Sequence, residues 1–530
     1  MQKANARSPR RLKPSLKIKA YASSDHVYLA WTSSSLIPAC LGFALFRKRK
    51  GASPQAVETF VGPADGSNVS LGVYRPSTEW PIQKFMWPDF LAPREASVRY
   101  QVVPMCGSGF ADMRPMHHWA SDWSDAVCLS HDEARPTRVF FNRGATLTQW
   151  DAHQMRGLKG DALRSTIEQT NRAKNKIRDF LGGRLKAGLL AQLRRAQKSG
   201  AHVYVSTGEL RDPEILPALA EYGERAHISS RNGGWLHKSV IVFTEPDEPD
   251  NPVSVWLQSG DLTSHGICCQ SNHALFIDDP RPARRFLDEW RGTSELKSHA
   301  RDSQRRTAER AIDNAQEGIL FLASGVTNPW PLFERLFKVM RDPAGADLLV
   351  HGLLHRTARR NLPPSVTFVH RNHRSSAASV DVMVPAVVPM TPGMGKQQSD
   401  AALSVNEWAS SVRRYAERRA EGVSGLLPRS NVLLVDPFGK HPAIIIGGWG
   451  GARAGGQSDQ PFTLDNDAAT ARQYAVYIMM IYNQYRWRFQ QIEAAKKGRT
   501  IGGWNGLMAP WHGQASYRRG GRKVELSFWT

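Results

Sequence analysis

The chain has 530 residues and a formal net charge of +22 at pH 7, from 70 lysine and arginine residues against 48 aspartate and glutamate residues. A hydrophobic fraction of 41% and an aromatic fraction of 9% exclude a disordered chain, and the length requires two or three domains. The positive charge favours polyanionic partners, namely nucleic acid or an anionic membrane surface.

The cysteine content and the hydropathy indicate a reducing, cytoplasmic location. Five cysteines do not make a disulfide framework in a chain of this length, and the adjacent Cys268 and Cys269 lack the spacing of metal ligands. The longest apolar stretch near the start, residues 36–46, is too short to be a membrane span or a secretory signal. We therefore expect no transmembrane segment, no metal and no other cofactor, although secretion without a cleaved signal stays open.

The first part of the chain predicts a flexible arm followed by an all-β module. Residues 1–15 are basic and contain proline, which favours a flexible arm. Residues 16–130 hold short alternating stretches separated by turn residues, typical of a small β-sandwich. The module resembles a fibronectin type III domain, with Trp31 and Tyr100 expected in its core.

The rest of the chain predicts an α/β fold in which one order of elements occurs twice. Residues 137–295 contain an opening strand, a leucine-rich helix that should end at Gly200, and a core strand. Residues 300–490 repeat helices and short apolar strands, and residues 491–530 form a C-terminal extension that we expect to pack on this core. Alternating helices and strands of this kind imply mixed sheets covered by helices on both faces.

Two segments of the first repeat place a histidine and a polar loop at the ends of apolar strands. Residues 233–243 place a histidine before an apolar strand, and residues 255–290 contain a second strand, a small polar loop and a helix. This arrangement resembles the first half of the phospholipase D superfamily, in which His-x-Lys is followed by Gly-Ser-x-Asn. Side chains at positions i and i+2 of a strand share one face, so His-x-Lys directs a nucleophilic imidazole and a phosphate-binding ammonium at one site.

The first half also departs from the superfamily pattern. His237 fills the histidine position, but Ser239 stands where the lysine is expected. Ser259 matches the serine of the loop, Asp261 replaces the usual asparagine, and Asn272 matches the asparagine that follows. An aspartate at this position repels a phosphate. These residues are the candidate first half-site. A structural role for a lone histidine at a strand start is the competing interpretation of His237.

The second repeat keeps the framework of the other half-site and changes its reactive positions. Asp436 begins the Asp-Pro-Phe-Gly ending that the superfamily carries after its second strand, and residues 470–489 resemble its closing helix. The positions that match His-x-Lys are Arg429 and Asn431. The glycine-rich residues 447–451 do not match a nucleotide-binding loop. His441 follows the turn and is interpreted as a loop histidine.

These replacements bear on catalysis, because the superfamily uses one imidazole as nucleophile and a second as general acid. Arg429 can bind a phosphate, but a guanidinium does not give up its proton near neutral pH. The leading hypothesis is a catalytically impaired phosphodiesterase-like protein, of the bacterial type with an N-terminal sandwich, that binds nucleic acid or assists an active paralogue. Two alternatives stay open: a metal-independent nuclease or phospholipase that uses His237, and an interaction protein that binds a protein partner through the sandwich. Anionic phospholipid is the alternative ligand.

Overall fold

The computed structural model describes residues 15–34, 37–59, 74–82, 85–109, 112–129, 135–144, 146, 168–229, 239–292, 298–323, 335–336, 349–354, 379–383, 430–447 and 462–481. The predicted arm apart from Ser15, the C-terminal extension, and the reactive positions His237 and Arg429 lie outside these ranges.

The N-terminal region is all β, as predicted. Its strands are β1 (Leu16–Ala22), β2 (Val27–Ser33), β3 (Cys40–Arg49), β4 (Gln55–Ala56), β5 (Glu58–Thr59), β6 (Arg75–Pro76), β7 (Met86–Asp89), β8 (Ser97–Cys106), β9 (Arg114–Pro115) and β10 (Val127–Cys128). They form a three-stranded sheet in the order β1-β2-β7, a five-stranded sheet in the order β10-β8-β3-β4 with β9 beside β8, and the pair β5-β6.

The core between these sheets contains the aromatic residues that the sequence indicated. Trp31 and Tyr100 are both fully buried, and Phe43 meets Trp31 edge to face with ring centroids 5.6 Å apart. The phenol of Tyr100 donates to the buried Asp89 at 2.9 Å, which also accepts a hydrogen bond from Arg47 at 2.7 Å. These contacts satisfy the buried Asp89 carboxylate and the Tyr100 phenol.

The first repeat forms one mixed sheet covered by helices. Its elements are β11 (Thr137–Phe141), α1 (Lys176–Ser199), β12 (Ala201–Thr207), α2 (Ile215–Ala220), β13 (Ala226–Ser229), β14 (Ser239–Pro246), β15 (Glu248–Gln258), β16 (His273–Ile277) and α3 (Pro280–Arg291). The strand order is β11-β16-β15-β14-β12-β13. A π-helical turn, His265–Cys269, lies between β15 and β16.

Helix α1 ends where its sequence predicts, and its first turn is capped by an asparagine. The side chain of Asn175 accepts a hydrogen bond from the main-chain N–H of Ile177, which satisfies one free donor of the first turn. At the other end Gly200 adopts a φ of 87°, a left-handed conformation that favours glycine and stops the helix. The predicted apolar face is buried, and its leucines are Leu185, Leu189, Leu190 and Leu193.

The second repeat forms a second six-stranded sheet. Its elements are α4 (Ser298–Asp313), β17 (Gly318–Ala323), β18 (Leu349–Leu354), β19 (Ser379–Met383), β20 (Val432–Val435), β21 (Ala443–Ile446), β22 (Phe462–Asp465) and a helix, α5, that covers residues 468–481. The strand order is β19-β18-β17-β20-β21-β22.

Five strands recur in the same order in the two sheets. The antiparallel run β16-β15-β14-β12 with β13 parallel to β12 has its counterpart in β22-β21-β20-β17 with β18 parallel to β17. The first sheet adds β11 at its antiparallel end, and the second adds β19 at its parallel end. The predicted mixed α/β class with a preceding all-β region is therefore confirmed, while the domain boundaries stay predictions.

The three regions contact one another through a few specific residues. Asp25 of the N-terminal region is buried and accepts hydrogen bonds from Arg143 Nε at 2.6 Å and Nη2 at 3.0 Å. Burial alone would raise the pKa of Asp25, but Arg143 holds it well below its usual range. The ring of Tyr21 packs on that of Phe438 in the second repeat, with ring centroids 5.2 Å apart.

Among the described helices, none is long and apolar enough to cross a membrane.

Candidate functional site

The candidate site lies at one edge of the first sheet, where several strands end or begin. Thr207 ends β12, Ser239 begins β14 and Gln258 ends β15, and the pairing places Ser239 directly between the other two. His273 begins β16 opposite Phe141, the last residue of β11. The antiparallel order of these strands therefore brings residues that are far apart in the sequence to one edge.

Ser239 occupies the position where a phosphate-binding lysine is expected. Its side chain is fully buried, with Oγ 2.8 Å from Thr207 Oγ1 and donating to the carbonyl of Gly260 at 2.9 Å. The same carbonyl accepts a hydrogen bond from Gln258 Nε2 at 3.1 Å. The Ser239 hydroxyl is thus committed to neutral partners, and no positive charge enters the site at this position.

Ser259 and Asn272 hydrogen-bond to each other rather than presenting free polar atoms. Ser259 Oγ donates to Asn272 Oδ1 at 2.9 Å and accepts from the main-chain N–H of His273 at 3.0 Å. Between them Gly260 passes so close that a Cβ would lie 2.4 Å from Asn272 Nδ2, so this position requires glycine. The partners that the structure gives Ser239, Ser259 and Asn272 are neutral hydroxyl, amide and main-chain groups.

Asn272 and Asn142 together fix the π-helical turn beside the site. Asn272 Nδ2 donates to the carbonyl of Gly266 at 2.7 Å, and its main-chain N–H donates to Asn142 Oδ1 at 2.9 Å. Asn142 Nδ2 in turn donates to the carbonyls of Ile267 at 2.9 Å and Gln270 at 2.6 Å. Both asparagines therefore stabilise the conformation of the π-helical turn through hydrogen bonds to its main chain.

A buried polar network joins this edge to the second repeat. Ser430, which precedes β20, is fully buried, and its Oγ lies 3.0 Å from His273 Nδ1 and 3.2 Å from the phenol of Tyr477. Ser430 Oγ also lies 3.5 Å from Ser259 Oγ. Ser430 therefore connects the edge of the first sheet to the start of β20 in the second sheet.

Two tyrosine rings of helix α5 pack against Phe141 and His273 beside this network. Tyr477 stacks on Phe141 with ring centroids 4.4 Å apart, and Tyr474 meets the His273 ring edge to face at 5.2 Å. The Tyr474 hydroxyl is buried and has no hydrogen-bond partner among the described residues. Burial, together with the adjacent Tyr477, raises the pKa of Tyr474 well above its usual range, so this phenol stays neutral.

A buried arginine holds the other side of the π-helical turn. Arg178 of α1 is fully buried, donates to both carboxylate oxygens of Asp212 at 2.6 Å, and reaches Ser264 Oγ at 3.3 Å. Burial raises the pKa of Cys268 well above its usual range and that of Cys269 to about 11, so neither buried thiol ionises readily near neutral pH. Arg178 is neutralised by its carboxylate partners and is not an anion site.

The remaining predicted site residues lie in different places. Asp261 is half exposed in the loop after Gly260, and Asn431 lies beside Ser430 at the start of β20. Asp436 lies at the opposite end of β20, where it accepts main-chain hydrogen bonds from Gln316 at 2.9 Å, Glu317 at 2.7 Å and Gly318 at 3.0 Å. The structure therefore brings Ser239, Ser259 and Asn272 together at one edge and places Asp436 away from it.

Several residues of this edge were not identified from the sequence. His273 and Ser430 are adjacent to predicted site residues, and Tyr477 follows Tyr474 by three positions, which places both on one face of a helix.

His441 does lie in the turn between β20 and β21, where its Nδ1 is 3.1 Å from Asn466 Oδ1. In the described part of the chain, no group of three or more His, Cys, Asp and Glu side chains is arranged to hold a metal.

Two enzymes are among the solved structures whose chain path is partly similar to that of this protein. One is a polyphosphate kinase from Porphyromonas gingivalis, with 11% identity over 57% of this chain and 53% of the kinase, at a TM-score of 0.35. The other is a phosphatidylserine synthase from Haemophilus influenzae Rd KW20, with 10% identity over 57% of this chain and 84% of the synthase, at a TM-score of 0.30. At these TM-scores neither similarity supports an argument about function. No family model and no curated protein matches the chain.

Proposed function

We propose that this protein is a phospholipase D-like phosphodiester-binding protein that binds nucleic acid and has lost efficient phosphodiester cleavage. The observation that carries the proposal is the closed, neutral environment of Ser239. The superfamily pattern places a lysine there, whereas this chain has a buried hydroxyl held by Thr207 and Gly260.

The electrostatic consequence is the main support for impaired catalysis. Phosphoryl transfer places negative charge on the equatorial oxygens, and enzymes stabilise that charge with fixed cations and hydrogen-bond donors. At this edge the polar groups of Ser239, Ser259 and Asn272 are already paired within the protein. Removing a single donor of this kind from an active site slows the chemical step by about a hundredfold to a thousandfold.

The altered second half supports the same interpretation. Arg429 stands where the general acid of the superfamily is expected, and an arginine cannot protonate a leaving oxygen. It can instead hold a phosphate through a bidentate hydrogen bond. His237 remains as the one imidazole at a predicted reactive position, which leaves the acid step without a donor.

The nucleic-acid partner is supported by charge. A net charge of +22 raises the local concentration of polyanions around the protein, and phosphodiester backbones are the polyanions that a phospholipase D-like scaffold suits. Anionic phospholipid shares the phosphodiester group, so the test must separate the two ligands.

The proposal is tested by binding measured against salt concentration. We expect fluorescent DNA and RNA to bind with a log affinity that falls linearly with log salt, because bound phosphates release counterions. Arg429→Gln should reduce the slope for a single strand by about 0.7, whereas Arg194→Gln on the exposed face of α1 should leave it unchanged. Salt-independent binding, or binding only to anionic vesicles, would contradict the nucleic-acid assignment.

A further inference from the structure

We infer that the outer face of the sheet formed by β3 and β8 is a separate binding surface for single-stranded nucleic acid. This inference rests on the proposed nucleic-acid partner and places a contact on the N-terminal region, away from the edge that carries Ser239.

The outer face is defined by the alternation of the two paired strands. Phe43 and Leu45 of β3 are buried in the sandwich core. Because side chains alternate along a strand, Phe46 and Lys48 lie on the opposite, outer face. Antiparallel pairing sets Phe46 opposite Gln101 and Lys48 opposite Arg99 on this outward side. Lys48 and Arg99 are both exposed, and Phe46 and Gln101 are partly exposed.

Two like charges therefore face each other across the strands. Directly opposed cations on one face of a sheet repel each other, and this pair has no compensating carboxylate among the described residues. Asp122 and Asp125, which flank Trp123 and Ser124 in the sequence, are exposed and form no ion pair with a described residue. An external anion placed between Lys48 and Arg99 would relieve the repulsion, and a phosphate of a nucleic-acid backbone has the required charge.

An aromatic side chain is held beside this cation pair. Lys48 Nζ lies 5.9 Å from the ring centre of Trp123, which is partly exposed. The segment that carries Trp123 is tied to β8, because Ser124 Oγ accepts from the main-chain N–H of Tyr100 at 3.0 Å and Gln101 Nε2 donates to the carbonyl of Ser121 at 2.7 Å. The main chain on both sides of Trp123 is thus held against β8, while part of its side chain stays open to solvent.

An aromatic pair, formed by Phe46 and His117, lies on the same outer face as Lys48. Phe46 and His117 lie with ring centroids 5.7 Å apart, and His117 is exposed. Cations beside open aromatic rings are the combination that binds single strands, since phosphates contact the cations and unstacked bases stack on the rings. A duplex keeps its bases stacked inside, so it can use the cations but not Trp123. We therefore assign a single strand as the ligand.

The experiment measures binding of a short fluorescent oligothymidine to the full-length protein at several salt concentrations. The double variant Lys48→Gln, Arg99→Gln should lower the slope of log affinity against log salt by about 1.4, the value for two phosphate contacts on a single strand. The charge-matched control Arg194→Gln, Arg195→Gln removes two exposed arginines of α1 and should leave the slope as in the unaltered protein.

The stacking contact is tested separately. Trp123→Ala should weaken single-strand binding by about tenfold at unchanged salt slope, while duplex binding stays within about twofold. Circular dichroism and the thermal midpoint of each variant establish that the sandwich is intact.

The possible outcomes separate the two proposals. If the unaltered protein binds the oligonucleotide and the Lys48/Arg99 variant keeps its full affinity and slope, this surface is wrong and the proposed function stands. If the unaltered protein binds no nucleic acid, both proposals fail. If the variant instead loses binding to phosphatidylserine vesicles and keeps oligonucleotide binding, the surface belongs to membranes and the inference is overturned.

Discussion

The starts of β14 and β20 occupy equivalent places in two similar sheets, yet they use their polar residues differently. At β14, Ser239 turns inwards and is satisfied by Thr207 and Gly260 of its own sheet. At β20, Ser430 reaches across to His273 of the other sheet and to Tyr477 of α5. The comparison teaches that two sheets can share a strand order while the serines at equivalent strand starts form hydrogen bonds with different parts of the molecule.

The largest effect is expected from Arg178, the buried arginine of α1 in the first repeat. Arg178→Ala leaves the buried Asp212 carboxylate without its cation, and we expect local stability to fall by about 3–5 kcal/mol. Hydrogen–deuterium exchange of peptides from α1 and β12 measures the loss. The control Arg281→Ala alters an arginine that is 89% exposed and should change exchange negligibly; equal protection in both variants would contradict the anchoring role.

The second repeat has its own anchor at the far end of β20. Asp436→Ala removes the acceptor of three main-chain hydrogen bonds and places alanine at a φ of 45°, so we expect a loss of about 2–3 kcal/mol. Exchange of peptides covering residues 316–323 reports the change. Asp436→Asn keeps an oxygen acceptor and tolerates the left-handed backbone, so it should lose clearly less; identical losses would contradict the assigned roles of the oxygen acceptor and of the left-handed backbone.

The network between the repeats should contribute less. Ser430→Ala removes the hydroxyl that contacts both His273 and Tyr477, and we expect a loss of about 1–2 kcal/mol because buried polar groups lose a partner. Protection should fall in peptides from both sheets, β16 and β20, since the hydroxyl joins them. A fall confined to β20 would contradict its bridging role.

The two tyrosines of α5 offer a matched pair with the smallest expected effect. Tyr477→Phe removes a phenol that contacts Ser430 and should cost about 1 kcal/mol, whereas Tyr474→Phe removes a buried hydroxyl without a partner and should be neutral or slightly stabilising. Thermal midpoints of the two variants measured side by side give the difference. Equal destabilisation by both changes would contradict the assigned hydrogen bonds.

The fold was largely predictable because its signals are local. Short sequence patterns indicate the apolar first half of β3, the polar–apolar alternation at the start of β8, the glycine that ends α1, and the apolar strands of the second repeat. The candidate site was predictable only in part. Ser239, Ser259 and Asn272 were identified by their motif positions, but their contacts join residues far apart in the sequence.

The bridging network shows why the rest was not predictable. Ser430 and His273 are 157 residues apart, and their contact depends on how two sheets pack. Nothing in the residues around Ser430 indicates such a partner. For Asp436, a sequence motif identified the position but not the contacts. Its three hydrogen bonds come from the main-chain N–H groups of residues 316–318, at and just before the start of β17.

The central claim is that the scaffold binds phosphodiesters without cleaving them efficiently. The most direct measurement is product release from single-stranded DNA, RNA and a fluorescent phospholipid in the presence of a chelator, with the unaltered protein beside His237→Ala. We predict no release above buffer from either protein, because Ser239 supplies no positive charge and Arg429 supplies no acid. Turnover by the unaltered protein that disappears in His237→Ala would contradict the account.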